Sequence, residues 1–334
     1  MIQTIIIIAV LVSIAIIFTP PSPHTHTLQV NNNNSTDFTF SLDFTNCLRG
    51  AAILMVMVGH VSGMMNTVLF SPLGGTGVAL FLLLSGFGLN ESFKKQELTC
   101  YWRKKVLRVL LPYFLIASLL YLIRWDFTWQ DYLLDVIGIK THYWYIAFLV
   151  KWYVAFWITS KYCLRYRTHL LLALSIVILF LFPNIEAEQA FSFPLGMLIS
   201  IHLGKVKNIR DKNVIIIACI LFVVGTIFLL IKQHPIVRAQ MSTWIYNVVQ
   251  LFIKLPYAMF IVCLLRLFPQ CIKSKFLLFS GIICYELYLV HMPFWNYVEN
   301  TVWSGLLLFI VSFAISYPFY LINNKIKVLM FLTK

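Results

Sequence analysis

The sequence predicts an all-α fold, in which about ten or eleven transmembrane helices form one bundle. Hydrophobic residues make up 60% of the 334 positions and charged residues 11%, whereas soluble domains contain about 45–50% and 25%. Apolar runs recur along the chain with a length of about 20 residues, which a helix needs to cross a bilayer. A single water-soluble core does not account for this excess, so we expect a polytopic membrane protein.

The predicted spans follow one another closely, which leaves no room for a large soluble domain. They cover about residues 2–19, 48–66, 76–92, 106–124, 143–160, 169–183, 190–203, 214–232, 243–266, 276–296 and 303–323. The last ten form a predicted ten-helix core domain at 47–334, and the first is an extra N-terminal helix at 1–19. That helix lacks the basic start and small-residue cleavage site of a signal peptide, so we expect it to be retained. Residues 20–46, with a PPSP motif and a run of asparagines, are predicted to be a linker.

The net charge of +14 arises from basic residues that cluster in alternate loops. These residues are Lys94, Lys95, Arg103, Lys104, Lys105 and Arg108; Lys161, Arg165 and Arg167; Lys205, Lys207, Arg210 and Lys212; Arg266, Lys273 and Lys275; and Lys325, Lys327 and Lys334. The intervening loops carry Asp126, Asp131, Asp135, Glu186, Glu188 and Glu299. Basic loops of membrane proteins face the cytoplasm, so these loops and the linker are predicted to be cytoplasmic and residue 1 to be outside. The charge therefore indicates orientation in a cytoplasmic (inner) membrane and argues against nucleic-acid binding.

The seven cysteines show neither a disulfide framework nor a metal-ligand spacing. Four of them, Cys47, Cys100, Cys163 and Cys271, fall on the predicted cytoplasmic side, where disulfides are rare. The histidines likewise form no metal-binding spacing. The sequence therefore predicts no metal site.

The second predicted span contains the motif LRGAAILMVMVGH, in which Arg49 and His60 are eleven residues apart. At about 100° per residue the two side chains share a helix face, separated by roughly 16 Å along the axis. An ionisable residue near the middle of a membrane indicates a functional site. The alternative for His60 is a histidine that only hydrogen-bonds to neighbouring helices, and for Arg49 a cytoplasmic anchor.

The next span contains FLLLSGF, and it is followed by the basic stretch YWRKKVLRVLLPY. Ser85 lacks the G-x-S-x-G context of a serine hydrolase, and its small neighbours favour close helix packing. The bases Arg103, Lys104, Lys105 and Arg108 are suited to bind phosphate groups. An ordinary basic anchor at a helix end has the same composition.

Near the end of the chain, the motif CYELYLVHMPF places three polar residues within a span. Tyr288 and His291 share a helix face at a spacing of three residues, whereas Glu286 is poorly aligned with His291. Lys151 and Lys254 also fall near the middle of spans. Because charges in membranes usually pair, an ion pair between Glu286 and one of these lysines is the structural alternative to a polar cavity.

Taken together, these stretches resemble the acyltransferase-3 family of multi-spanning bacterial enzymes, which O-acylate sugars and cell-surface polysaccharides. The similarity rests on Arg49 to His60, on FLLLSGF, on the basic stretch that ends in Leu-Pro, and on HYWYIAFLVKWY, SFPLGM and YELYLVHMP. It covers about residues 43–323 in order. Cys284 stands where the family commonly has serine, and Lys104 and Lys105 where it often has arginine.

The resemblance implies transfer of an acyl group, most often acetyl from acetyl-CoA, to a hydroxyl of a sugar or cell-envelope glycan. Imidazole is a suitable general base near neutral pH, so His60 is the expected catalytic residue, with Arg49 beside it. Arg103, Arg108, Lys104 and Ser85 are expected at the acetyl-CoA site. Glu286, Tyr288, His291 and Lys151 are expected to position the acceptor. The expected partners are this acceptor and membrane lipids.

Two other classes of protein remain open on the sequence alone. Buried charges also mark the substrate paths of transporters, so a transporter or flippase of a lipid-linked glycan is the main alternative. No inverted-repeat pattern supports it. A catalytically silent membrane scaffold is the third possibility.

Overall fold

The computed structural model describes residues 2–19, 38–65, 70–124 and 128–332. All regular secondary structure in these ranges is helical, which confirms the predicted all-α class. The helices are α1 (Ile2–Ile17), α2 (Leu42–Met64), α3 (Ser71–Gln96), α4 (Tyr101–Lys105), α5 (Leu111–Arg124), α6 (Trp129–Val136), α7 (Trp144–Tyr162), α8 (Arg167–Leu181), α9 (Asn184–Ala187), α10 (Ser192–Ile201), α11 (Leu203–Lys207), α12 (Asp211–Gln233), α13 (Pro235–Arg238), α14 (Trp244–Leu267), α15 (Lys275–Ile282), α16 (Cys284–Phe294) and α17 (Val302–Leu332). A π-helical turn, Val106–Leu110, joins α4 to α5.

Several of these helices satisfy the physical requirements of a membrane span. Within the described ranges, seven segments are long and apolar enough to cross a membrane, and one bent helix pair makes an eighth. The chain is therefore a multi-pass membrane protein, but the predicted count of ten core spans is not confirmed. The clearest difference is α10, whose 10 residues extend only about 15 Å.

The start of α2 lies inside the segment that the sequence predicts to be a linker. Ser41 caps this helix, because its hydroxyl accepts a hydrogen bond from the backbone N–H of Phe44 at 3.2 Å, and a serine at this position satisfies a free donor of the first turn. Residues 42–46 are therefore helical. The predicted linker residues 20–37 lie outside the described ranges.

The extra helix α1 packs against α2, α15 and α17. Near its start, Thr4 contacts the sulfur of Met65. Near its end, the carbonyl oxygen of Ala15 accepts a hydrogen bond from the Ser274 hydroxyl at 2.8 Å. Because Met65 and Ser274 lie at opposite ends of the bundle, α1 crosses its full height.

Basic loops that are distant in sequence meet at one end of the bundle, here called the basic end. Arg266 donates a hydrogen bond to the carbonyl oxygen of Val206 at 2.5 Å, and the Lys94 ammonium donates to that of Ser200 at 2.5 Å. The backbone N–H of Lys275 donates to the carbonyl of Phe18. This arrangement agrees with the predicted alternation of the loops and places the end of α1 on the basic side.

Small residues allow the central helices to pack with backbone contact. A Cβ atom added at Gly86 of α3 would lie 2.0 Å from the carbonyl oxygen of Phe193 in α10, and one at Gly196 would lie 1.8 Å from that of Leu83. Only glycine fits at such distances. The SGF and PLGM motifs are therefore two sides of one helix contact.

The predicted span at 276–296 is not one straight helix, although its two parts together qualify as one candidate span. The chain forms two helices there, α15 and α16, whose axes differ by 78° at Ile283. Ser280 and Gly281 precede the break, and such pairs are common where helices kink. The break places the first turn of α16 inside the bundle. Non-helical backbone within a membrane is tolerated where it is buried in protein or lines a cavity.

Candidate active site

A large cavity of about 650 Å³ opens at the basic end of the bundle. Its rim includes Gln96, Glu97 and Thr99, all of which are exposed. Arg49, Lys104, Lys105 and Arg108 line it, and we call it the basic cavity. The first turn of α16 also lines it through Cys284 and Tyr285, which adds the positive end of a helix dipole.

The basic side chains of this cavity are held by neutral groups. Arg49 donates a hydrogen bond to the side-chain oxygen of Asn46 at 3.0 Å, and Lys104 donates to that of Gln96 at 2.5 Å. The Lys105 ammonium lies 4.1 Å from the centre of the Tyr153 ring. Over the described part of the chain, no carboxylate forms an ion pair with Arg49, Lys104, Lys105 or Arg108. Their charge is therefore available to an anionic ligand.

Arg108 reaches the basic cavity from the π-helical turn. Pro112 explains this turn, because proline has no N–H to bond with the carbonyl of Arg108, four residues earlier, and its ring collides with that carbonyl. The helix responds with a bond from the N–H of Leu111 to the carbonyl of Val106. Single π-helical turns of this kind are frequent at functional sites.

Tyrosines form the inner wall of the basic cavity. The Tyr101 hydroxyl donates to the backbone oxygen of Tyr153 at 2.7 Å, and that of Tyr285 donates to the backbone oxygen of Val109 at 2.6 Å. Ser85 lines the same cavity, together with Tyr145 and Tyr153.

A second cavity of about 190 Å³ lies deeper in the bundle and contains His60. We call it the histidine pocket. Its polar and aromatic lining consists of His60, Ser71, Trp144, Glu188, Gln189, Lys254 and Tyr288, and its apolar lining includes Val56, Val78 and Met292. Ser71 and Ile185 are exposed and lie toward the end of the bundle opposite the basic end.

His60 forms a hydrogen-bonded pair with His291. Nδ1 of His60 lies 2.9 Å from Nε2 of His291, and Nδ1 of His291 lies 2.8 Å from the carbonyl oxygen of Leu287. A carbonyl oxygen only accepts, so Nδ1 of His291 carries the hydrogen, and Nε2 of a neutral His291 accepts from His60. Nε2 of a neutral His60 then has no proton, and this network assigns it as a base.

Ion pairs connect the two mid-span lysines, Lys254 buried and Lys151 half exposed, to the segment around α9. Lys254 pairs with Glu188 inside the histidine pocket. Lys151 pairs with Glu186 at 2.7 Å. The structural alternative, in which Glu286 pairs with one of these lysines, is therefore wrong, because residues 186–190 fold into the bundle and supply the carboxylates instead. Glu286 accepts a hydrogen bond from Asn323 at 3.1 Å.

The structure separates the predicted site residues into three groups. The basic cavity is lined by Arg49, Ser85, Lys104 and Arg108. The histidine pocket is lined by His60, which contacts His291. Tyr288 lines both cavities. Arg103, Lys151 and Glu286 are absent from both linings, and Arg103 donates to the backbone oxygen of Met330. Arg49 and His60 therefore share a helix but line different cavities.

Sequence reasoning did not assign Trp144, Tyr145, Tyr153, Glu188, Gln189 or Lys254 to a site. The aromatic residues belong to the motif HYWYIAFLVKWY, and Lys254 is a charged residue near the middle of a predicted span. Both are sequence patterns that indicate a functional site. Glu188 and Gln189 gave no signal, because they follow an apolar span as ordinary loop residues do.

Comparison with known proteins identifies the family. A family model described as an acyltransferase domain, of the acyltransferase-3 family, matches residues 42–321. Neither the curated proteins nor the solved structures include a significant match. The matched region contains both cavities and covers well over half of the chain. The chain therefore belongs to the acyltransferase-3 family and is a multi-pass membrane acyltransferase.

Proposed function

We propose that this protein transfers an acyl group, acetyl in the simplest case, from acyl-CoA to a hydroxyl group of a sugar in a cell-surface glycan. The observation that carries the proposal is a basic cavity and a histidine pocket that share the side chain of Tyr288. One cavity has the charge to hold an anionic donor. The other presents a neutral imidazole to a hydroxyl.

The basic cavity is the proposed binding site of acyl-CoA. Its volume of about 650 Å³ is within the range of small-molecule sites, about 300–1,000 Å³. Arg49, Lys104, Lys105 and Arg108 supply positive charge without carboxylate partners, and guanidinium groups bind phosphate in a bidentate manner. The polar and charged part of the donor would lie near the rim and its thioester near Tyr288.

His60 is the proposed general base. Nε2 of His60 takes the proton of the acceptor hydroxyl as its oxygen attacks the thioester carbon. The tetrahedral intermediate then re-forms its carbonyl group and breaks the bond between carbon and sulfur. The proton held by His60 goes to the departing sulfur, so the products are an ester and free CoA. His291 orients His60 and keeps its proton on Nδ1.

The histidine pocket is the proposed site of the acceptor. Trp144 offers an aromatic face to the C–H groups of a sugar ring, and Glu188, Gln189 and Lys254 offer acceptors and donors for its hydroxyls. A few polar groups among apolar ones are typical of specific ligand sites. The pocket lies toward the end of the bundle that would face outward in a bacterial inner membrane, where envelope glycans are accessible.

The test is acyl transfer by the purified full-length chain in lipid nanodiscs. Radiolabelled acetyl-CoA is incubated with a panel of methyl glycosides, and labelled ester is measured. Transfer is expected, and His60→Ala should reduce it by about 10²–10⁴-fold. His169→Ala, which changes an exposed histidine of α8, is the matched control and should retain the activity. Uptake of glycosides into proteoliposomes without ester formation would instead establish a transporter.

A further inference from the structure

Tyr288 occupies a special place between the two cavities. Among the described residues it is the only one that lines both of them. Cys284, Tyr288 and His291 follow one another at spacings of four and three residues, so they lie on one face of α16. Cys284 lines the basic cavity and His291 contacts His60. This face therefore leads from the donor cavity to the base.

The ring of Tyr288 is held by aromatic neighbours on several sides. Its centre lies 6.1 Å from that of Tyr143, 5.3 Å from that of Tyr145 and 5.8 Å from that of His291. Tyr143 is itself fixed, because its hydroxyl donates to the carbonyl oxygen of Leu289 at 2.8 Å. The position of the Tyr288 hydroxyl is therefore determined before any ligand binds.

That hydroxyl donates no hydrogen bond to the described residues, although Tyr288 is only 4% exposed. Three nearby tyrosines differ, because the hydroxyls of Tyr101, Tyr143 and Tyr285 each donate to a backbone oxygen. Buried polar groups without a partner are uncommon in proteins, and each calls for an explanation. A tyrosine that lines two cavities and whose O–H lacks a protein acceptor is suited to donate that O–H to a ligand.

We infer that the Tyr288 hydroxyl donates a hydrogen bond to the carbonyl oxygen of the acyl thioester, and that this bond strengthens as the oxygen becomes an oxyanion. The inference rests on the proposed function, because that function places the thioester between the basic cavity and His60. When the acceptor oxygen bonds to the carbonyl carbon, an electron pair moves onto the carbonyl oxygen. Tyr288 stabilises this charge and keeps its own proton, and the pair returns when the bond to sulfur breaks.

This role differs from the acceptor-positioning role that the sequence predicts for Tyr288. A donor aimed at the developing oxyanion acts mainly in the transition state and changes kcat. A residue that positions the acceptor changes KM for the acceptor. Substitution of a purely structural tyrosine lowers the stability of the protein and has no selective effect on kcat or on KM.

The first experiment compares Tyr288→Phe with Tyr113→Phe in the full-length protein. Tyr288→Phe keeps the ring packing and removes only the hydroxyl, so kcat should fall about 10²–10³-fold, as for the loss of one oxyanion donor, with both KM values and the unfolding temperature retained. Tyr113 lines neither cavity, and its hydroxyl donates to the backbone oxygen of Asp135 at 2.5 Å, so Tyr113→Phe should lower the unfolding temperature and largely retain kcat. An unchanged kcat in Tyr288→Phe, or a loss confined to KM for the acceptor, would overturn the inference.

The second experiment observes the carbonyl group directly. Acetyl-CoA labelled with ¹³C at its carbonyl is bound to each protein without acceptor, and its infrared band is recorded. The band should lie at lower frequency in the wild type than in Tyr288→Phe, and Tyr113→Phe should resemble the wild type. Identical bands in wild type and Tyr288→Phe would contradict the assignment. Failure of the proposed function is distinct, because the wild type would then neither bind acetyl-CoA nor form ester.

Discussion

The pairing of His60 with His291 leaves Nε2 of a neutral His60 without a proton, which is the state that the proposed general base requires. Neutral histidine has two tautomers, and the hydrogen bond at one ring nitrogen decides which form is present. Here the carbonyl of Leu287 fixes His291, and His291 fixes His60. A residue from a distant part of the chain, His291, therefore determines the tautomer of His60.

The variant His291→Phe tests whether His291 determines the tautomer of His60. The variant removes the acceptor for Nδ1–H of His60 and leaves the ring free to adopt the other tautomer, so kcat should fall by about 10²-fold, the lower part of the range for general acid–base catalysis. His291→Gln offers a carboxamide oxygen in place of the ring nitrogen and should lose less. Acyl transfer is measured in both, with thermal unfolding as the folding control. Equal activity in His291→Phe and wild type would contradict the role of His291.

The ion pair of Lys254 and Glu188 is the second feature at the residue scale. Both side chains are about nine-tenths buried, with 9% and 11% exposure. Burial of one charge without its partner is strongly destabilising. This pair therefore holds residues 186–190 against α14.

Lys254→Met should lower the free energy of unfolding by about 3–5 kcal/mol, because it leaves Glu188 as an unpaired buried charge. Adding Glu188→Gln should recover part of that loss, since the double variant contains neither charge. Lys94→Met is the comparison, because its pair with Glu91 is more exposed. Loss of that pair should cost about 0–1 kcal/mol, and loss of the Lys94 hydrogen bond to the Ser200 carbonyl about 1 kcal/mol more. Denaturant unfolding in mild detergent measures all four proteins, and an equal effect at Lys94 and Lys254 would contradict the argument.

At the scale of elements, the contact between α3 and α10 explains why two short motifs contain glycine. Gly86 and Gly196 each face a backbone oxygen of the other helix, so neither neighbour can rotate away as a side chain does. This contact supports the wall of the basic cavity, which α3 lines through Ser85.

Gly196→Ala should destabilise the protein by about 1–3 kcal/mol or more, because the added methyl group would overlap the carbonyl of Leu83 and force the helices apart. Gly204→Ala is a suitable control, since nothing lies within 4 Å of its Cβ position. Thermal unfolding of both variants in nanodiscs gives the comparison. Similar unfolding temperatures for the two variants would contradict this prediction, because they would show that α3 and α10 can move apart without loss of stability.

The break between α15 and α16 shows the limit of sequence prediction at this scale. Hydropathy across residues 276–296 is continuous, because both helices are apolar. A bend changes no local composition, so the sequence predicts one span where the structure has two helices. The same applies to residues 186–190, whose polar side chains are typical of a loop although they lie inside the bundle.

At the scale of the whole molecule, the basic end and the proposed donor site coincide. A donor made in the cytoplasm requires the basic cavity to open there, and the predicted positive-inside orientation provides this opening. The histidine pocket, the proposed acceptor site, lies toward the other end. In the proposed function, donor and acceptor would therefore reach the reacting centre from opposite ends of the bundle.

Cysteine labelling tests this orientation. Cys100 is exposed at the basic end, so a variant that retains only this cysteine should react with a membrane-impermeant maleimide in inside-out vesicles and remain unlabelled in intact spheroplasts. Glu299→Cys, in the same cysteine-free background, changes an exposed residue at the opposite end and should show the reverse pattern. Labelling of Cys100 from outside would reverse the proposed orientation and with it the direction from which the donor arrives.

The sequence by itself determined that this is a helical membrane protein, which loops share a side, and to which family it belongs. Hydropathy and loop charge are local properties that the membrane selects along the chain, and the family motifs are short and contiguous. Arg49, Ser85, Lys104 and Arg108 were therefore predicted from their own surroundings, and they line one cavity.

The tertiary structure alone decided how the site is divided. The contact of His60 with His291 joins residues 231 positions apart, and the pair of Lys254 with Glu188 joins a helix to a buried loop. Such contacts depend on the order and rotation of helices in the bundle, and helices with little amphipathicity do not encode that rotation in a polar face. For this reason the sequence placed Arg49 and His60 on one wall, whereas the fold assigns them to two cavities that share Tyr288.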